Sequence, residues 1–217
     1  MKATFRHGHF RKTSYAGGNV NSAGENSSSG ASKALTGPER EFLLQLARES
    51  LEGFFKRTSP SISVAGYPTL GTKRGCFVTL LRRGALRGCV GNVVPRLPLS
   101  LAVIENARSA AFNDSRFPPL EFCELSEIAI EISILTNPMT LSGNSAGELL
   151  GQIRPRLDGV LLEFAGRVST YLPQVWEKLP GPVDFMNSLA QKAGLPADSW
   201  QDPAAVISVY QAESFSE

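Results

Sequence analysis

The fold is decided by the stretch GCFVTLLRRGALRGCV at residues 75–90. Its first half is rich in aromatic, aliphatic and β-branched side chains, and the same character returns after Arg83 and Gly84. Such runs favour extended backbone, and a glycine between them favours a tight turn. The stretch therefore predicts a β-hairpin with strands at 75–81 and 85–90.

The segments around this hairpin predict a mixed α and β domain. Thr36 and Glu39 have the spacing of a capping box, and Pro38 between them suits the first turn of a helix. Isoleucines alternate with other residues along 128–135, which indicates a half-buried strand. Further elements are predicted as a hairpin at 160–172, helices at 99–112 and 183–193, and a strand at 206–210. Hairpins imply antiparallel pairing, so we predict an α+β fold with one mainly antiparallel sheet and packed helices.

The predicted helix at 99–112 has one apolar side by helical spacing. That side consists of Leu101, Ile104, Ala107, Ala111 and Phe112. Pro118 and Pro119 prevent the helix from continuing.

Charge and polarity divide the chain into two parts. Residues 1–37 hold five Lys/Arg and one acid and are rich in Gly, Ser and Asn, whereas residues 38–217 hold 17 Lys/Arg and 19 acids. A segment as polar as the first cannot offset its ordering entropy by burial. We therefore predict a disordered tail at 1–37 and one domain at 38–217.

Both histidines, His7 and His9, lie in the predicted tail, and none follows Pro38. The domain therefore lacks a His-based zinc site and a His-activated nucleophile. Neither a metal nor a cofactor is expected. Three cysteines without a CxxC pair argue against a disulfide framework, so we expect a cytoplasmic protein. The sequence has no apolar run of membrane-spanning length, and no membrane partner is expected.

Cys89 lies between Gly88 and Gly91, two residues after Arg87. Glycine permits close approach of a backbone or ligand. Strand alternation predicts that Arg87 and Cys89 share a face, where the guanidinium would lower the pKa of the thiol. One interpretation is a reactive or ligand-binding cysteine. The other is a small buried residue in a tightly packed strand, which is common for free cysteine.

Residues 113–119 form a second stretch whose side chains could form a binding site. An acid, a hydroxyl and a base, Asp114, Ser115 and Arg116, occur there within one turn after a helix. Arg116 could bind an anion. The alternative is a structural helix stop in which Asp114 pairs with Arg116.

Residues 53–104 carry eight basic side chains and no acid. They could form an anion-attracting face, or a solvated basic hairpin. The net negative charge of the domain disfavours a dedicated nucleic-acid binder.

The ordered motifs resemble the AMMECR-domain family, which is named for a human protein from the chromosomal region of the AMME syndrome and is called AmmeMemoRadiSam system protein A in microbes. Leu86–Gly91 is similar to the hexapeptide signature of that family, and Ala110–Pro119 is similar to its next block. Shorter matches follow at 133–137, 158–160 and 170–176. Val90 stands where the family often has Ile, and Asn92 where it often has Thr.

The resemblance implies a single α+β domain in two lobes, with the hexapeptide near the groove between them and no firmly assigned activity. It marks Cys89 as a position of interest, and the reasoning from the residues above makes Cys89 the one catalytic candidate. The binding candidates are Arg87, Gly88, Gly91, Asn92, Asp114, Arg116 and Tyr171. The name of the family reflects association with Memo-like proteins and radical-SAM enzymes.

Three functional hypotheses remain open, and the sequence does not decide whether the protein is an enzyme. The first is a binding or adaptor module that works with a Memo-like or radical-SAM partner through a groove near Leu86–Gly91. The second is an enzyme with Cys89 as nucleophile or redox thiol, assisted by Arg87. The third is a binder of an anionic small molecule or nucleic acid through residues 53–104.

Overall fold

A computed structural model describes residues 34–60 and 64–217. The helices are α1 (Gly37–Lys56), α2 (Leu99–Phe112), α3 (Ala146–Gln152) and α4 (Pro182–Lys192). The strands are β1 (Cys76–Arg82), β2 (Ala85–Asn92), β3 (Ile128–Leu135), β4 (Met139–Thr140), β5 (Gly159–Phe164), β6 (Arg167–Tyr171), β7 (Val206–Tyr210) and β8 (Ala212–Ser216). Short 3-10 helices lie at Pro68–Gly71, Phe122–Glu127, Pro173–Glu177 and Ser199–Gln201.

The strands form two four-stranded antiparallel sheets, in the orders β2-β1-β3-β8 and β4-β7-β5-β6. The α+β class and both hairpins are confirmed. The expectation of one sheet is wrong, because β7 pairs with β5 and the chain then returns to the first sheet as β8, a strand that the sequence did not predict. We call the β2-β1-β3-β8 sheet with α1 and α2 the first lobe, and the β4-β7-β5-β6 sheet with α3 and α4 the second lobe.

Helix α1 begins where the sequence predicts. Thr36 and Glu39 form the capping box, and the left-handed backbone of Arg57 (φ 57°) ends the helix. Residues 1–33 of the predicted tail, with His7 and His9, lie outside the described residues. Leu35 is buried in the core of the first lobe, so the packed part of the chain begins before residue 38.

Helix α2 has the predicted ends, and the predicted side is buried in part, since Ala107 and Ala111 are buried. Leu101 is 39% exposed, whereas Ala102, Val103, Asn106 and Ala110 are buried. The helix packs against α1 and against the β1–β2 hairpin at once, and small alanine side chains let these elements approach closely. Asn106 and Ser109 of this helix line the space between the lobes.

A small apolar cluster joins the two lobes. Phe77 and Leu135 of the first sheet pack against Leu161 and Tyr210 of the second, and Cys89 packs against this cluster. The strand that carries the hexapeptide therefore presents Cys89 to the seam between the lobes.

No helix in the described ranges 34–60 and 64–217 is long and apolar enough to cross a bilayer.

Candidate functional site

A β-bulge interrupts the hexapeptide strand. Leu80 pairs with Gly88, and the next residue, Leu81, pairs with Leu86, so Arg87 has no cross-strand partner. A bulge breaks the alternation of side chains along a strand. The prediction that Arg87 and Cys89 share a face assumed unbroken alternation, and the bulge removes that assumption.

Arg87 is bound away from Cys89. Its Nε and Nη2 donate to the two carboxylate oxygens of Glu124 at 2.9 and 2.8 Å. Nη1 and Nη2 also donate to the carbonyl oxygens of Pro118 and Pro119 at 3.0 and 3.3 Å. The predicted assistance of Arg87 to the thiol is therefore wrong: this guanidinium ties the 3-10 helix at Phe122–Glu127 and the preceding prolines to the strand.

The two glycines of the hexapeptide serve close packing. A Cβ on Gly88 would lie 2.1 Å from the carbonyl oxygen of Ala110 in α2, and one on Gly91 would lie 2.4 Å from both the Phe77 ring and the Cys76 carbonyl oxygen. Real Cβ atoms do not approach other atoms so closely. Glycine at these positions lets α2 and β1 lie directly against β2.

Asp114 and Arg116 hold the free edge of β2 at Cys89. The backbone N–H of Cys89 donates to Asp114 Oδ2 at 2.9 Å, and Arg116 Nη2 donates to the Cys89 carbonyl oxygen at 3.2 Å. Arg116 also donates to the Asp114 carboxylate from Nε and Nη2 at 2.9 and 2.6 Å. The two side chains thus take the place of a neighbouring strand, and the predicted pairing of Asp114 with Arg116 is present.

Asp114 remains ionised in this arrangement. Burial raises its pKa, but hydrogen bonds from the Arg116 side chain and from the backbone N–H of Cys89 outweigh that effect and hold the pKa below its ordinary value.

The Cys89 thiol is a neutral group at physiological pH. Burial raises its pKa, and the charges of Asp114 and Glu131 act in the same direction. A hydrogen bond of 3.2 Å from Thr79 Oγ1 to Sγ and the positive charge of Arg116 oppose this rise without cancelling it. The predicted lowering of the thiol pKa is therefore wrong, because desolvation exceeds the help of the nearest guanidinium.

An open groove of ≈ 690 Å³ lies between the lobes beside Cys89. Its first-lobe wall is built from 89–97 and from α2 residues that include Asn106 and Ser109, and the second lobe contributes Leu161, Glu163 and Val168. Four of the predicted site residues line it: Cys89, Gly91, Asn92 and Asp114. Arg87, Gly88, Arg116 and Tyr171 do not line it.

Asn92 belongs to an amide pair at this groove. Asn106 Nδ2 donates to Asn92 Oδ1 at 3.2 Å and to the Cys76 carbonyl oxygen at 3.1 Å. Asn92 Nδ2 donates to the Val94 carbonyl oxygen at 2.8 Å. These bonds leave both amides at the wall of the groove.

Tyr171 lies in the core of the second lobe. Its ring packs edge-on against Phe185 at 5.3 Å, and its hydroxyl lies 3.0 Å from Ser188 Oγ. Lys192 Nζ stands 4.7 Å from the centre of the same ring and donates to the Thr170 carbonyl oxygen at 2.6 Å.

Lys192 is the residue that the sequence did not reveal. Burial, and after it the positive charge of Arg116, lowers the pKa of Lys192 to about 8, while the Cys89 thiol acts in the opposite direction. Nothing in the helical pattern of 183–193 distinguishes this lysine from an ordinary surface residue, because the groups that shift its pKa lie far from it in sequence.

In the described part of 53–104, more than half of the basic side chains are paired or buried. Arg82 and Arg87 both pair with Glu124, and Arg82 and Arg83 both pair with Glu127. Arg74 is buried, and Lys56 pairs with Glu52. These pairs neutralise much of the positive charge that motivated the third hypothesis.

Across residues 34–60 and 64–217, no group of three or more His, Cys, Asp or Glu side chains could hold a metal ion. Cys76 is buried, Cys89 is partly buried and Cys123 is exposed, all as free thiols.

The AMMECR1 family model matches residues 44–215. The chain belongs to the AMMECR1 family. It is 36% identical over 191 residues to the protein MK0488 of Methanopyrus kandleri, covering 84% of this chain and 90% of that one. It is also 36% identical over 189 residues to the protein MJ0810 of Methanocaldococcus jannaschii, covering 85% and 93%.

A solved structure that is similar to this chain supports the architecture. The crystal structure of the uncharacterized protein PH0010 from Pyrococcus horikoshii matches with a TM-score of 0.74 at 35% identity. The match covers 82% of this chain and 90% of that one. The family identified from the motifs is thereby confirmed, together with its α+β fold.

Proposed function

We propose that this AMMECR1-family protein is a binding module whose ligand or partner docks in the groove between the lobes. The observation that carries the proposal is the groove of ≈ 690 Å³ at the Cys89–Asn92 end of the hexapeptide. That volume lies within the range of about 300–1,000 Å³ that is usual for ligand sites. The wall combines apolar side chains with a few polar groups, which is the composition that gives such a site both affinity and orientation.

The docking surface consists of the groove side of 89–94 and α2. Asn92, Asn106 and Ser109 supply hydrogen-bonding groups, and Leu161 and Val168 supply apolar contact from the second lobe. Because residues from both lobes line the groove, an occupant would contact both at once. An adaptor needs such a surface, whereas a catalytic mechanism would need activated groups that the hexapeptide alone does not supply.

The partner follows from the family resemblance, which points to a Memo-like protein or a radical-SAM enzyme. The test uses the full chain and purified candidates from the same organism, with affinity measured by calorimetry. Two matched variants carry the comparison: Glu105→Trp, at an exposed α2 position that lines the groove, and Glu41→Trp, at an exposed α1 position outside it.

We expect wild-type protein and Glu41→Trp to bind one of the two candidates with the same affinity. Glu105→Trp should weaken binding by about tenfold or more, because the indole occupies space that the partner needs. If neither candidate binds, or if both variants bind equally well, the groove is not the docking surface for these partners.

A further inference from the structure

Strand β2 has an open edge at the groove. It is the last strand in the order β2-β1-β3-β8, so only one of its sides pairs with another strand. The N–H and C=O of Cys89 face the open side, because they bind Asp114 and Arg116. Hydrogen-bonding direction alternates along an antiparallel strand, and the register from Cys89 to Gly91 is regular. The N–H and C=O of Gly91 therefore also face away from β1.

Gly91 is the position where this edge is unpaired. Asp114 and Arg116 bind the backbone at Cys89, two residues earlier. In the ranges 34–60 and 64–217, no side chain and no second strand binds the N–H or C=O of Gly91. Gly91 also lines the groove. Unpaired backbone groups on an edge strand can pair with an added strand, which is a common mode of peptide recognition.

The first-lobe wall of the groove offers hydrogen-bond acceptors over the length of a short peptide. Glu105, Ser109 and Asn113 line the groove at a spacing of four residues, so they form a row along one side of α2. The row extends over about 12 Å at 1.5 Å per residue. An extended segment of about four residues has that length. Asn106 is 7% exposed and makes its hydrogen bonds through Nδ2, so its Oδ1 is a further acceptor at this wall.

The second-lobe wall places a carboxylate among apolar side chains. Glu163 lies two residues after Leu161 on β5 and therefore on the same face of the sheet. Its cross-strand neighbour is Val168 on β6, and all three residues line the groove. Within the described part of the chain, neither Glu163 nor Glu105 forms an ion pair.

The charges that line the groove favour a basic occupant. Three of them are acids, Glu105, Asp114 and Glu163, and one is a base, Arg96. Arg116 binds Asp114 and neutralises it. Two carboxylates then stand against one guanidinium, and they come from opposite walls. A basic side chain between the walls would interact with both carboxylates.

We propose that the groove binds an extended segment of the partner protein, which pairs with Gly91 at the edge of β2 and directs a lysine or arginine side chain toward Glu105 and Glu163. In antiparallel geometry, one residue of the segment donates its N–H to the Gly91 carbonyl oxygen and accepts from the Gly91 N–H. These backbone bonds supply affinity, and the carboxylates supply selectivity for the basic side chain. The inference rests on the proposed function, because it assumes that the groove is the docking surface.

The test follows the backbone amides of the full chain by NMR and uses acetylated, amidated pentapeptides as probes. The basic probe is Ala-Val-Lys-Val-Ala, and the acidic probe has glutamate in place of lysine. Three further probes carry an N-methyl group on one of the three central residues of the basic probe, which removes one backbone donor. The Cys89 N–H is the internal reference, because Asp114 already binds it.

In the protein without probe, we expect the Gly91 N–H to exchange with solvent faster than the Cys89 N–H. The saturating basic probe should slow exchange at Gly91 by about fivefold or more and leave Cys89 unchanged. The acidic probe should bind about threefold or more weakly, because it meets the carboxylates of both walls. At least one N-methyl probe should fail to protect Gly91, because the bond to its carbonyl oxygen is lost.

Three charge variants test the side-chain part of the proposal. Glu163→Gln should weaken binding of the basic probe by about twofold to threefold, as expected for an exposed ion pair. Arg96→Met should strengthen binding by a similar factor, because it removes a like charge from the groove. Glu41→Gln, at an exposed position of α1 outside the groove, should change nothing.

The proposal is overturned if no probe protects Gly91, if the acidic probe binds as well as the basic one, or if every N-methyl probe protects Gly91 equally. It is also overturned if Gly91 is already protected without a probe. Protection that rises with protein concentration would then assign the edge to a second copy of the chain. Protection that is independent of concentration would assign it to residues 1–33 of the same chain.

The probes separate this peptide site from the choice of partner protein. If the basic probe protects Gly91 while neither candidate protein binds by calorimetry, the peptide site stands and the candidate partners are wrong. If a candidate binds in a way that Glu105→Trp weakens while no probe protects Gly91, the groove is a docking surface and the pairing with Gly91 is wrong.

Discussion

Two arginine–carboxylate pairs flank the hexapeptide strand, and they do different work. Arg87 and Glu124 are 11% and 8% exposed, and Arg87 also binds two proline carbonyls, so this pair fixes a loop to the strand. Asp114 and Arg116 are 2% and 24% exposed and bind the backbone of Cys89, so this pair holds a strand edge at the groove. Two similar ion pairs therefore have different effects on the strand. We call Arg87, which is fixed to the loop, the locked half of the motif, and Cys89–Asn92, which line the groove, the open half.

The difference lies in what each arginine can still reach. The N–H groups of Arg87 donate to Glu124, Pro118 and Pro119. The positive charge of Arg116, in contrast, acts to lower the pKa of Cys89 and of Lys192. Proximity in sequence pointed to Arg87 as the partner of the thiol. Proximity in space gives that role to Arg116, which binds the carbonyl oxygen of Cys89, because Arg87 is bound to Glu124 instead.

The largest expected loss of stability follows from a substitution at Gly88, which lies between the two halves of the motif. Gly88→Ala places a methyl group 2.1 Å from the Ala110 carbonyl oxygen, so α2 and β2 must move apart. We expect the free energy of unfolding to fall by about 3 kcal/mol, at the upper end for an overpacked core. Urea denaturation measures it. The control is Gly151→Ala, where no atom lies within 4 Å of the added Cβ and the helix should lose no stability. Equal stabilities of the two variants would contradict the close contact.

The second effect is on the locked half. Glu124→Gln removes the carboxylate that binds Arg87 and Arg82, and we expect a loss of about 2 kcal/mol near pH 7. The hydrogen bond from Arg87 is the main cause that lowers the pKa of Glu124 to about 2, helped by the Glu121 N–H and opposed by burial.

This depressed pKa gives the second effect a pH signature. A carboxyl group with a lowered folded-state pKa stabilises the protein above its unfolded pKa, and that stabilisation is lost as pH falls through the folded value. The stability difference between wild type and Glu124→Gln should therefore be full above about pH 4.5 and should shrink toward pH 2. Exposed Glu177, which forms no ion pair in the described residues, is the control site. A difference that does not change with pH would show that the charge of Glu124 is not the cause.

The third largest change in stability is expected at Asp114, which with Arg116 holds the strand edge at Cys89. Asp114→Asn keeps the shape of the side chain but removes the charge that holds Arg116, so a loss of about 1–2 kcal/mol is expected. Because Asp114 raises the pKa of Cys89, its removal should also speed alkylation of Cys89 by iodoacetamide by about threefold. Asp198→Asn, at an exposed position, should change neither quantity. Slower alkylation of Cys89 in Asp114→Asn would contradict the assigned electrostatic role.

Local signals in the sequence were sufficient for the elements with strong boundaries. The capping box at Thr36 and Glu39 and the glycine turn at Gly84 act within a few residues, so α1 and the first hairpin could be predicted. Strand β8 (Ala212–Ser216) could not, because it has little apolar alternation and its extended form depends on pairing with β3.

The site was harder to predict because it, like β8, depends on contacts between segments that are far apart in sequence. The motif pointed to Cys89 and Asp114, which are close in space because of one hydrogen bond between β2 and the loop after α2. A bulge at Arg87 leaves no local signal that distinguishes it from regular strand. The lowered pKa of Lys192 depends on burial and, after it, on the charge of Arg116, and the sequence around residue 192 shows neither.

The smallest effect is expected at Asn92, on the groove wall. Asn92→Thr introduces the residue that the family often carries there, and threonine suits extended backbone. The bond from Asn92 to the Val94 carbonyl is exposed, so water can replace it, and Asn106 keeps the Cys76 carbonyl as an acceptor. We therefore expect less than about 0.5 kcal/mol of change in the free energy of unfolding, measured beside Glu124→Gln. A small value means that the open half of the motif is available for binding without a structural cost. A loss as large as that of Glu124→Gln would mean that the groove wall is also part of the structural lock, and the distinction between the two halves would fail.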